Sequence, residues 1–538
     1  QFGTEIKMSI SSSYYLILIS KLVAISNYLC MKPSVELFKL IKSLTKSEKR
    51  FFKLSSSLQS GEKNYLKIFD FIEAQSDYDE NELKKAFENE TFIKHLPSEK
   101  NHLYKLILKS LRSYYSEQSI SSSLKQEIKN VEILYNKALY KECEKFVARA
   151  KQTAKKYEKF YYWFELINWE KKLLESAYEA GEFGTDLDEL VEEEEMVIAR
   201  LRNLAEYTVI YSKINLIFRS GGFTRNETER NVVADIADYH LIKGKNTALS
   251  TKAASICYYI KGLCAATNRN YVDSFQFFNR TKEILDNNPF IKIDSAQRYV
   301  MTLFHLLRCH VDNGDFKQAK DLIEEIRGLQ KAKGFKSIDI SVRIFANTYN
   351  QELVLLHKLG QFNESVELIP TIEKKHANYG GKVSKEMEVL LTYNKAYSYF
   401  GLGDHKKALF YLNEVLNDNE QNLRQDIYSF ARLFNLVIHF ELENYDFLEY
   451  VVKSTNRYLS KHDRDYQIEN TFIKYIRKLS KNHTDVDRVE IFEAMNKEIT
   501  KLLKDHNERV VLEYFDVAAW IESKIKKISF EEAVKNLL

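Results

Sequence analysis

Proline is scarce in this chain of 538 residues, which contains four of them. They are Pro33, Pro97, Pro289 and Pro370. Because proline removes a backbone donor and breaks helices, its scarcity leaves long stretches of the chain free to form helices. Hydrophobic residues make up 44% of the sequence, with 33 Phe and 34 Tyr. This much apolar surface excludes a disordered chain.

Cysteine is also rare, and its positions follow no pattern. The five cysteines form no Cys-x2-Cys pair and are Cys30, Cys143, Cys257, Cys264 and Cys309. An odd and scattered set is untypical of a disulfide framework or a zinc site. We therefore expect buried, reduced thiols in a cytoplasmic protein.

The motifs of common enzymes are missing. Gly-x4-Gly-Lys-Ser/Thr, Gly-x-Gly-x2-Gly and Gly-x-Ser-x-Gly do not occur, and neither does His-Glu-x-x-His. The acidic run at residues 185–195, TDLDELVEEEE, lacks the alternating ligands of a calcium loop and suits the start of a helix. The sequence thus indicates no catalytic residue, no cofactor and no metal. An enzyme would have to use residues far apart in the chain.

The chain also lacks a strong excess of either charge, since it contains 80 Lys and Arg and 76 Asp and Glu. Such a balance does not indicate a nucleic acid or a membrane as a partner of the whole chain. The longest apolar run, Tyr14 to Leu29, is interrupted by Lys21 and is too short to span a bilayer comfortably. We expect Met31 to be the natural start and residues 1–30 to be an upstream extension; a membrane or export segment is the alternative.

The clearest pattern lies in the segment from Tyr393 to Leu416, which predicts two helices joined by a tight turn. Apolar residues recur at helical spacing on both sides of the turn: Ala396, Tyr399, Phe400, Ala408, Leu412 and Val415. Gly403 tolerates the left-handed conformation that ends a helix, and Asp404 can cap the next one. Because one such hairpin cannot bury its own apolar face, we expect neighbouring copies.

Copies of this turn recur along the chain. The aligned turn positions are Ala138, Gly181, Gly221, Arg269, Gly314, Gly360, Gly403 and Glu443. Their spacings, by subtraction, are 43, 40, 48, 45, 46, 43 and 40 residues. A small residue follows the turn in five copies, at Cys143, Ser274, Ala319, Ser365 and Ala408, and an apolar one comes four positions later, at Val147, Phe278, Ile323, Ile369 and Leu412. Small residues at this position let two helices approach closely.

The pattern resembles the tetratricopeptide repeat, whose first helix carries Trp-x2-Leu-Gly-x2-Tyr and whose second carries Ala-x3-Phe. The best copy has the matching residues Leu303, Leu306, Leu307, His310, Gly314, Phe316, Ala319 and Ile323. The tryptophan position holds other residues, and each copy is about ten residues longer than the family's 34. The resemblance implies an all-α solenoid of stacked antiparallel hairpins over residues 121–460.

Two helical regions flank the expected array. Residues 461–538 lose the turn marker, and we expect them to form a cap in which Phe515, Ala518, Trp520 and Ile521 pack on the last repeat. Residues 31–120 contain the capping box Thr45 to Glu48. They also carry two basic stripes, Lys46, Lys49, Arg50 and Lys53, and Lys105, Lys109 and Arg112. The stripes are interpreted as solvated helix faces, with nucleic-acid contact as the alternative.

The resemblance also implies a site. In tetratricopeptide proteins the first helices line a concave groove that holds an extended peptide or a partner's helix. Carried over copy by copy, the groove residues are His305, Arg308, Asn350, Gln351, Lys358, Tyr393, Asn394 and Tyr397. The leading hypothesis is a non-enzymatic cytoplasmic scaffold or adaptor that binds a protein or peptide. The alternatives are a peptide-responsive transcription regulator whose N-terminal helices contact DNA, and an enzyme with a site inside the superhelix.

Overall fold

The computed structural model describes residues 33–57, 64–116, 119–179, 187–219, 224, 227–418, 424–462, 466–481, 485–505 and 507–538. The expected upstream extension, residues 1–30, and the turn positions Gly181 and Gly221 lie outside these ranges. Within them the chain forms helices and turns and contains no strand. The prediction of an all-α fold is confirmed.

The chain divides into two compact units, residues 1–150 and residues 151–538. The first unit contains α1 Pro33–Ser43, α2 Lys46–Ser57, α3 Asn64–Ala74, α4 Glu80–Ala86, a 3-10 turn at Thr91–His95, α5 Leu96–Tyr114 and α6 Ile120–Asn136. The point of division falls within α7 Tyr140–Lys156. The helices α1, α2 and α3 pack around α5, with Phe52, Phe69 and Leu103 fully buried between them.

The capping box of α2 forms as predicted. The Thr45 backbone N–H donates to the Glu48 carboxylate at 2.5 Å, and the Glu48 N–H donates to the Thr45 hydroxyl at 3.3 Å. Each side chain satisfies a donor that the first helical turn would otherwise leave unpaired. This explains why the helix begins at Lys46.

The second unit is longer. Its helices are α8 Phe160–Glu179, α9 Leu187–Arg219, α10 Glu227–Asp238, α11 His240–Lys243, α12 Thr251–Thr267, α13 Tyr271–Asp286, α14 Pro289–Asp294, α15 Ala296–Asn313, α16 Phe316–Gly328, α17 Ile338–Lys358, α18 Phe362–Tyr379, α19 Lys385–Gly401, α20 His405–Leu416, α21 Gln425–Glu441, α22 Tyr445–Lys461, α23 Gln467–Lys481, α24 Asp485–Leu502, α25 Val517–Lys526 and α26 Phe530–Asn536, with 3-10 turns at Leu329–Lys331 and Glu508–Glu513.

Consecutive helices of this unit pack as hairpins. The pairs are α12 with α13, α15 with α16, α17 with α18, α19 with α20, and α21 with α22. Along the series, α15 packs on α17, α17 on α19 and α19 on α21, so the first helix of each pair contacts the first helix of the next. Stacking of this kind buries the apolar face that one hairpin leaves exposed. The predicted α-solenoid is confirmed.

The predicted turns form at all six aligned positions that the structure describes. Positive φ angles of 56° to 85° occur at Ala138, Arg269, Gly314, Gly360, Gly403 and Glu443. Asp404 also caps α20 as predicted, because its carboxylate accepts from the Lys407 N–H at 3.0 Å. Side chains other than glycine cost about 1–2 kcal/mol in this conformation. The hairpin geometry therefore holds even where the sequence offers no glycine.

Close helix contacts explain the small residues of the repeat. The five aligned small side chains and the five apolar ones that follow them are all buried. Gly401 allows an even closer approach, since a Cβ atom there would lie 2.0 Å from Cδ1 of Phe362. A side chain at this position would have to displace the Phe362 ring.

The array departs from strict repetition at α9. Equal copies around positions 181 and 221 would require a helix break between them, but α9 runs without interruption for 33 residues, Leu187–Arg219. It packs against α8 on one side of the series and against α12 on the other. The regular hairpin pattern therefore begins at α12.

Candidate functional site

The predicted groove residues lie on α15, α17 and α19. One side of the first helices of the second unit is here called the first-helix face. It is formed by α12, α15, α17, α19 and α21. The chain's own residues 507–538, here the C-terminal segment, lie on it. The Tyr393 hydroxyl donates to the Tyr514 carbonyl at 3.0 Å, and the Asp516 N–H donates to the Tyr397 hydroxyl at 3.2 Å. Two residues expected to contact a partner therefore hold the C-terminal segment.

Aromatic packing joins the segment to the face. The Phe515 ring lies 5.3 to 6.0 Å from the rings of Tyr397, Phe400 and Phe434. Trp520 is fully buried, and its indole N–H donates to Glu441 at 2.7 Å. The prediction that Phe515 and Trp520 pack on the last repeat is confirmed, and Phe515 reaches α19 in the preceding pair as well.

Ion pairs form the polar part of the contact. Glu513 of the C-terminal segment accepts from Arg269 and from the Tyr271 hydroxyl, both at 3.1 Å, and lies 3.5 Å from Arg308. Arg269 occupies a turn position with a positive φ of 56°. A non-glycine residue there is strained, and its guanidinium is placed where it can bind the Glu513 carboxylate.

Asp312 links two of the predicted groove cations. It lies 3.5 Å from Arg308 on the same helix and 2.9 Å from Lys358 on α17. Burial alone would lower the pKa of Arg308, but the carboxylates of Asp312 and Glu513 raise it above its ordinary value. Arg308 therefore remains charged and is neutralised within the molecule.

The two predicted amides bind each other. The Asn394 side-chain amide donates to the Asn350 carbonyl oxygen at 2.6 Å, and both residues are buried. Burying an amide without a partner would be costly, so the pair satisfies both groups inside the stack. Gln351, next to Asn350, is half-buried.

Two histidines, His305 and His357, are buried deeper in the stack. His305 shares a hydrogen bond of 2.9 Å with the Tyr259 hydroxyl and stacks on Phe278 with ring centroids 4.4 Å apart. His357, which the sequence did not single out, forms a hydrogen bond of 2.7 Å with the Ser398 hydroxyl. Burial lowers the pKa of each to about 3, with a further contribution from Arg308 at His305. Both imidazoles are therefore neutral at pH 7.

A cavity of about 760 Å³ remains between the first-helix face and the C-terminal segment. Three of the eight predicted groove residues line it, namely Lys358, Asn394 and Tyr397. Residues that the sequence reading missed complete the wall, including Arg269, Asn313, His357, Arg509 and Glu513. The cavity thus presents cations, carboxylates and amides, which suit a polar ligand such as a peptide.

The first basic stripe is partly neutralised by acidic neighbours. Lys46, Lys49, Arg50 and Lys53 surround a depression of about 500 Å³. Glu73 lies 3.1 Å from both Lys49 and Lys53, and Asp70 lies 2.8 Å from Lys53. The second stripe, Lys105, Lys109 and Arg112, is exposed on α5. Nucleic-acid contact by either stripe stays a prediction.

Metal ligands, a membrane-spanning helix or reactive cysteines would define other kinds of site. The described part of the chain contains no group of three His, Cys, Asp or Glu side chains arranged to hold a metal ion. No helix in it combines the length and the apolarity that crossing a bilayer requires. Cys143, Cys257, Cys264 and Cys309 are buried free thiols, and Cys30 lies outside the described residues.

The fold and the first-helix face define a helical repeat protein built from stacked hairpins. A family model described as tetratricopeptide repeat matches residues 392–422, which include the turn at Gly403. The chain is a tetratricopeptide-like helical repeat protein, as predicted. No curated protein matches it.

Proposed function

We propose that this protein is a non-enzymatic scaffold that binds a peptide segment of a partner protein in the cavity beside the C-terminal segment. Tetratricopeptide repeats generally mediate protein–protein interaction or scaffolding. The observation that carries the proposal is the lining of the cavity. Lys358, Asn394 and Tyr397, assigned to the groove from the repeat register, contribute to the same wall.

The accessible side chains of the cavity indicate the chemistry of the ligand. Asn313 and Arg509 are exposed, and the Lys358 side chain is 37% exposed. Lysine and arginine bind a carboxylate, while an amide can both donate to and accept from a peptide backbone. An acidic side chain or a free C-terminal carboxylate on the partner peptide fits this arrangement.

The geometry beside the cavity supports a binding role over catalysis. His357 and Ser398 lie within hydrogen-bond distance, which is the arrangement that activates a serine nucleophile. The Ser398 side chain, however, is fully buried, and its hydroxyl donates to the Asn394 carbonyl at 2.9 Å. The serine is therefore the acceptor from His357, and substrate has no access to it.

Site-specific photo-crosslinking tests the proposal in the intact chain. A photo-reactive amino acid replaces Asn313 at the cavity, and the control carries it at Lys407, which is 61% exposed on α20 and away from the cavity. We expect a discrete crosslinked partner from Asn313 in cells and none at Lys407. The same crosslinks from both positions would contradict the assignment, as would no crosslink from Asn313.

Charge reversal then tests the chemistry. Lys358→Glu together with Arg509→Glu should weaken binding of a crosslinked partner peptide at least about tenfold, since two charge-assisted contacts are lost. Lys407→Glu is the matched control and should leave binding unchanged. Equal binding by the wild type, the double variant and the Lys407→Glu control would show that Lys358 and Arg509 do not hold the ligand.

A DNA-contacting regulator is the second candidate. It is supported by the exposed stripe of Lys105, Lys109 and Arg112. Phosphate contacts would make DNA binding by the full chain fall steeply between 50 and 200 mM salt. Absence of binding at the lower salt concentration would remove this candidate.

A further inference from the structure

The C-terminal segment, residues 507–538, contacts more of the array than a cap requires. A capping element of a solenoid covers the outer face of the last repeat. This segment reaches all five regular hairpins, which are α12–α13, α15–α16, α17–α18, α19–α20 and α21–α22. Its contacts therefore link hairpins that are not neighbours in the series.

One anchor of the segment lies on α21, in the last regular hairpin. The Tyr514 ring stacks on the Phe430 ring with centroids 4.2 Å apart. The Glu441 carboxylate accepts from the Trp520 indole at 2.7 Å and from Lys524 at 2.6 Å. Because Trp520 is fully buried, this anchor is part of the hydrophobic core.

The last helix of the segment, α26, holds the middle of the array. The Phe530 ring lies 5.7 Å from the ring of Phe362 on α18 and 5.2 Å from that of Phe400 on α19. The turn at Gly360 lies against the same helix, since a Cβ atom there would be 2.8 Å from Cγ of Lys535. The hairpins α17–α18 and α19–α20 are thus joined through α26.

The opposite anchor is an ion pair at the first regular hairpin. The Glu513 carboxylate accepts from Arg269, in the turn between α12 and α13, and from the hydroxyl of Tyr271, at the start of α13. The side chains of Arg269 and Glu513 are 7% and 14% exposed, so their charges are screened little by the solvent. A charge-assisted contact of this kind is stronger than a hydrogen bond between neutral groups.

The packing of the helices alone joins each hairpin to the next one along the series. In an array held by neighbour contacts, one end can open while the other end stays folded. Glu513 and Trp520 lie seven positions apart in the chain, yet they hold the first and the last regular hairpin. The segment therefore supplies a connection that neighbour packing lacks.

We propose that the C-terminal segment is a strap that couples α12–α13 to α21–α22, so that the array between them opens as one unit. The strap also fixes the width of the partner cavity, because that cavity lies between the segment and the first-helix face. The proposal concerns the stability of the array and does not depend on the ligand.

Hydrogen exchange of the full chain in increasing urea tests the coupling. The slowest amides of α12 and α13 should become accessible to exchange at the same urea concentration as those of α21. Opening of α12 and α13 at a lower urea concentration in the wild type, while α21 stays protected, would overturn the proposal.

Arg269→Gly tests the first anchor by the sign of its effect. Arg269 has a positive φ of 56°, a conformation that glycine adopts without strain. The substitution therefore favours the turn but removes the guanidinium that binds Glu513. We expect α12 and α13 to exchange at least about tenfold faster than in the wild type, since the loss of a charged hydrogen bond outweighs the relief of strain. Unchanged or slower exchange in this hairpin would overturn the proposal.

Glu443→Gly is the matched control. Glu443 lies in the turn between α21 and α22 with a positive φ of 57°, and its side chain is exposed and forms no ion pair with the described residues. Its replacement by glycine should leave the exchange of α21 and α22 unchanged or slow it. An acceleration as large as that expected of Arg269→Gly would show that glycine itself loosens such turns, which would overturn the proposal.

Glu513→Gln breaks the same contact from the side of the strap and nearly preserves the side-chain shape. It should accelerate exchange in α12 and α13 as Arg269→Gly does, while circular dichroism shows unchanged helicity. Glu352→Gln is its control, because Glu352 pairs with Arg327 between the neighbouring helices α17 and α16 and its loss should act there. Equal acceleration of α12 and α13 by the two glutamine variants would overturn coupling through the strap.

Discussion

The first-helix face and an exposed stripe of α9 distribute polarity in opposite ways. The stripe, here the α9 stripe, is formed by Leu187, Val191, Ile198, Val209 and Leu216. On the first-helix face, polar residues such as His305, Asn350 and Asn394 are buried. On the α9 stripe, aliphatic residues are exposed. The buried polar groups lie between packed helices and are paired there, His305 with Tyr259 and Asn394 with Asn350, whereas no described part of the chain buries the aliphatic side chains of α9. Whether a side chain is buried depends on what packs over it, so residue type alone does not predict burial.

The largest expected effect comes from breaking the cover of the first-helix face. Trp520→Ala should lower the free energy of unfolding by about 3–5 kcal/mol, because a fully buried indole and its bond to Glu441 are lost. Urea denaturation followed by circular dichroism measures this. Tyr450→Ala, at an aromatic residue that is 67% exposed, is the control and should change the value by less than about 0.5 kcal/mol.

Acid provides the next test of buried polarity. The unfolded imidazole of His357 titrates near 6.5 and the folded one near 3, so the unfolded chain binds more protons between these values. The free energy of unfolding therefore falls as the pH drops, by up to about 1.4 kcal/mol per pH unit for this histidine.

His357→Gln keeps a donor for Ser398 and removes the titration. Denaturation between pH 6.5 and 4.5 should show a shallower loss of stability in this variant, by about 2.3 kcal/mol over the interval. Identical slopes for variant and wild type would mean that His357 is solvated in the folded protein.

The paired amides give a smaller effect on the same face. Asn394→Ala leaves the Asn350 carbonyl oxygen buried without its donor and should cost about 1–3 kcal/mol in chemical denaturation. Asn413→Ala, at an exposed position of α20, is the matched control. If Asn394→Ala and Asn413→Ala lowered the free energy of unfolding equally, the paired amides would be exposed to water, as they would be in an uncovered groove.

The smallest expected effect belongs to the α9 stripe. Ile198→Ser should change the free energy of unfolding by less than about 0.5 kcal/mol in dilute solution, because the side chain is 47% exposed. A loss as large as that of Asn394→Ala would show that the solenoid itself buries Ile198, and the contrast between the two surfaces would disappear.

Local rules account for what the sequence could predict. The turns at Gly314, Gly360 and Gly403, the caps at Thr45 and Asp404 and the buried small residues all depend on neighbours within a few positions. The register also placed the groove residues on first helices, namely α15, α17 and α19. Short-range patterns carry this information because each hairpin is built from adjacent residues.

The remaining features depend on contacts between distant residues. Tyr393 binds Tyr514, and Arg269 binds Glu513, more than a hundred positions away. No period in the sequence reports such a contact, so the groove residues were expected to be exposed. The unbroken helix α9 was missed for a related reason, since the repeat register favours a break that its residues do not require.

Amide hydrogen exchange of the full chain tests the cover of the first-helix face most directly. The account predicts that α25, Val517–Lys526, exchanges as slowly as α21, Gln425–Glu441, because the two form one packed core. Exchange of α25 within seconds, while α21 stays protected for hours, would contradict it.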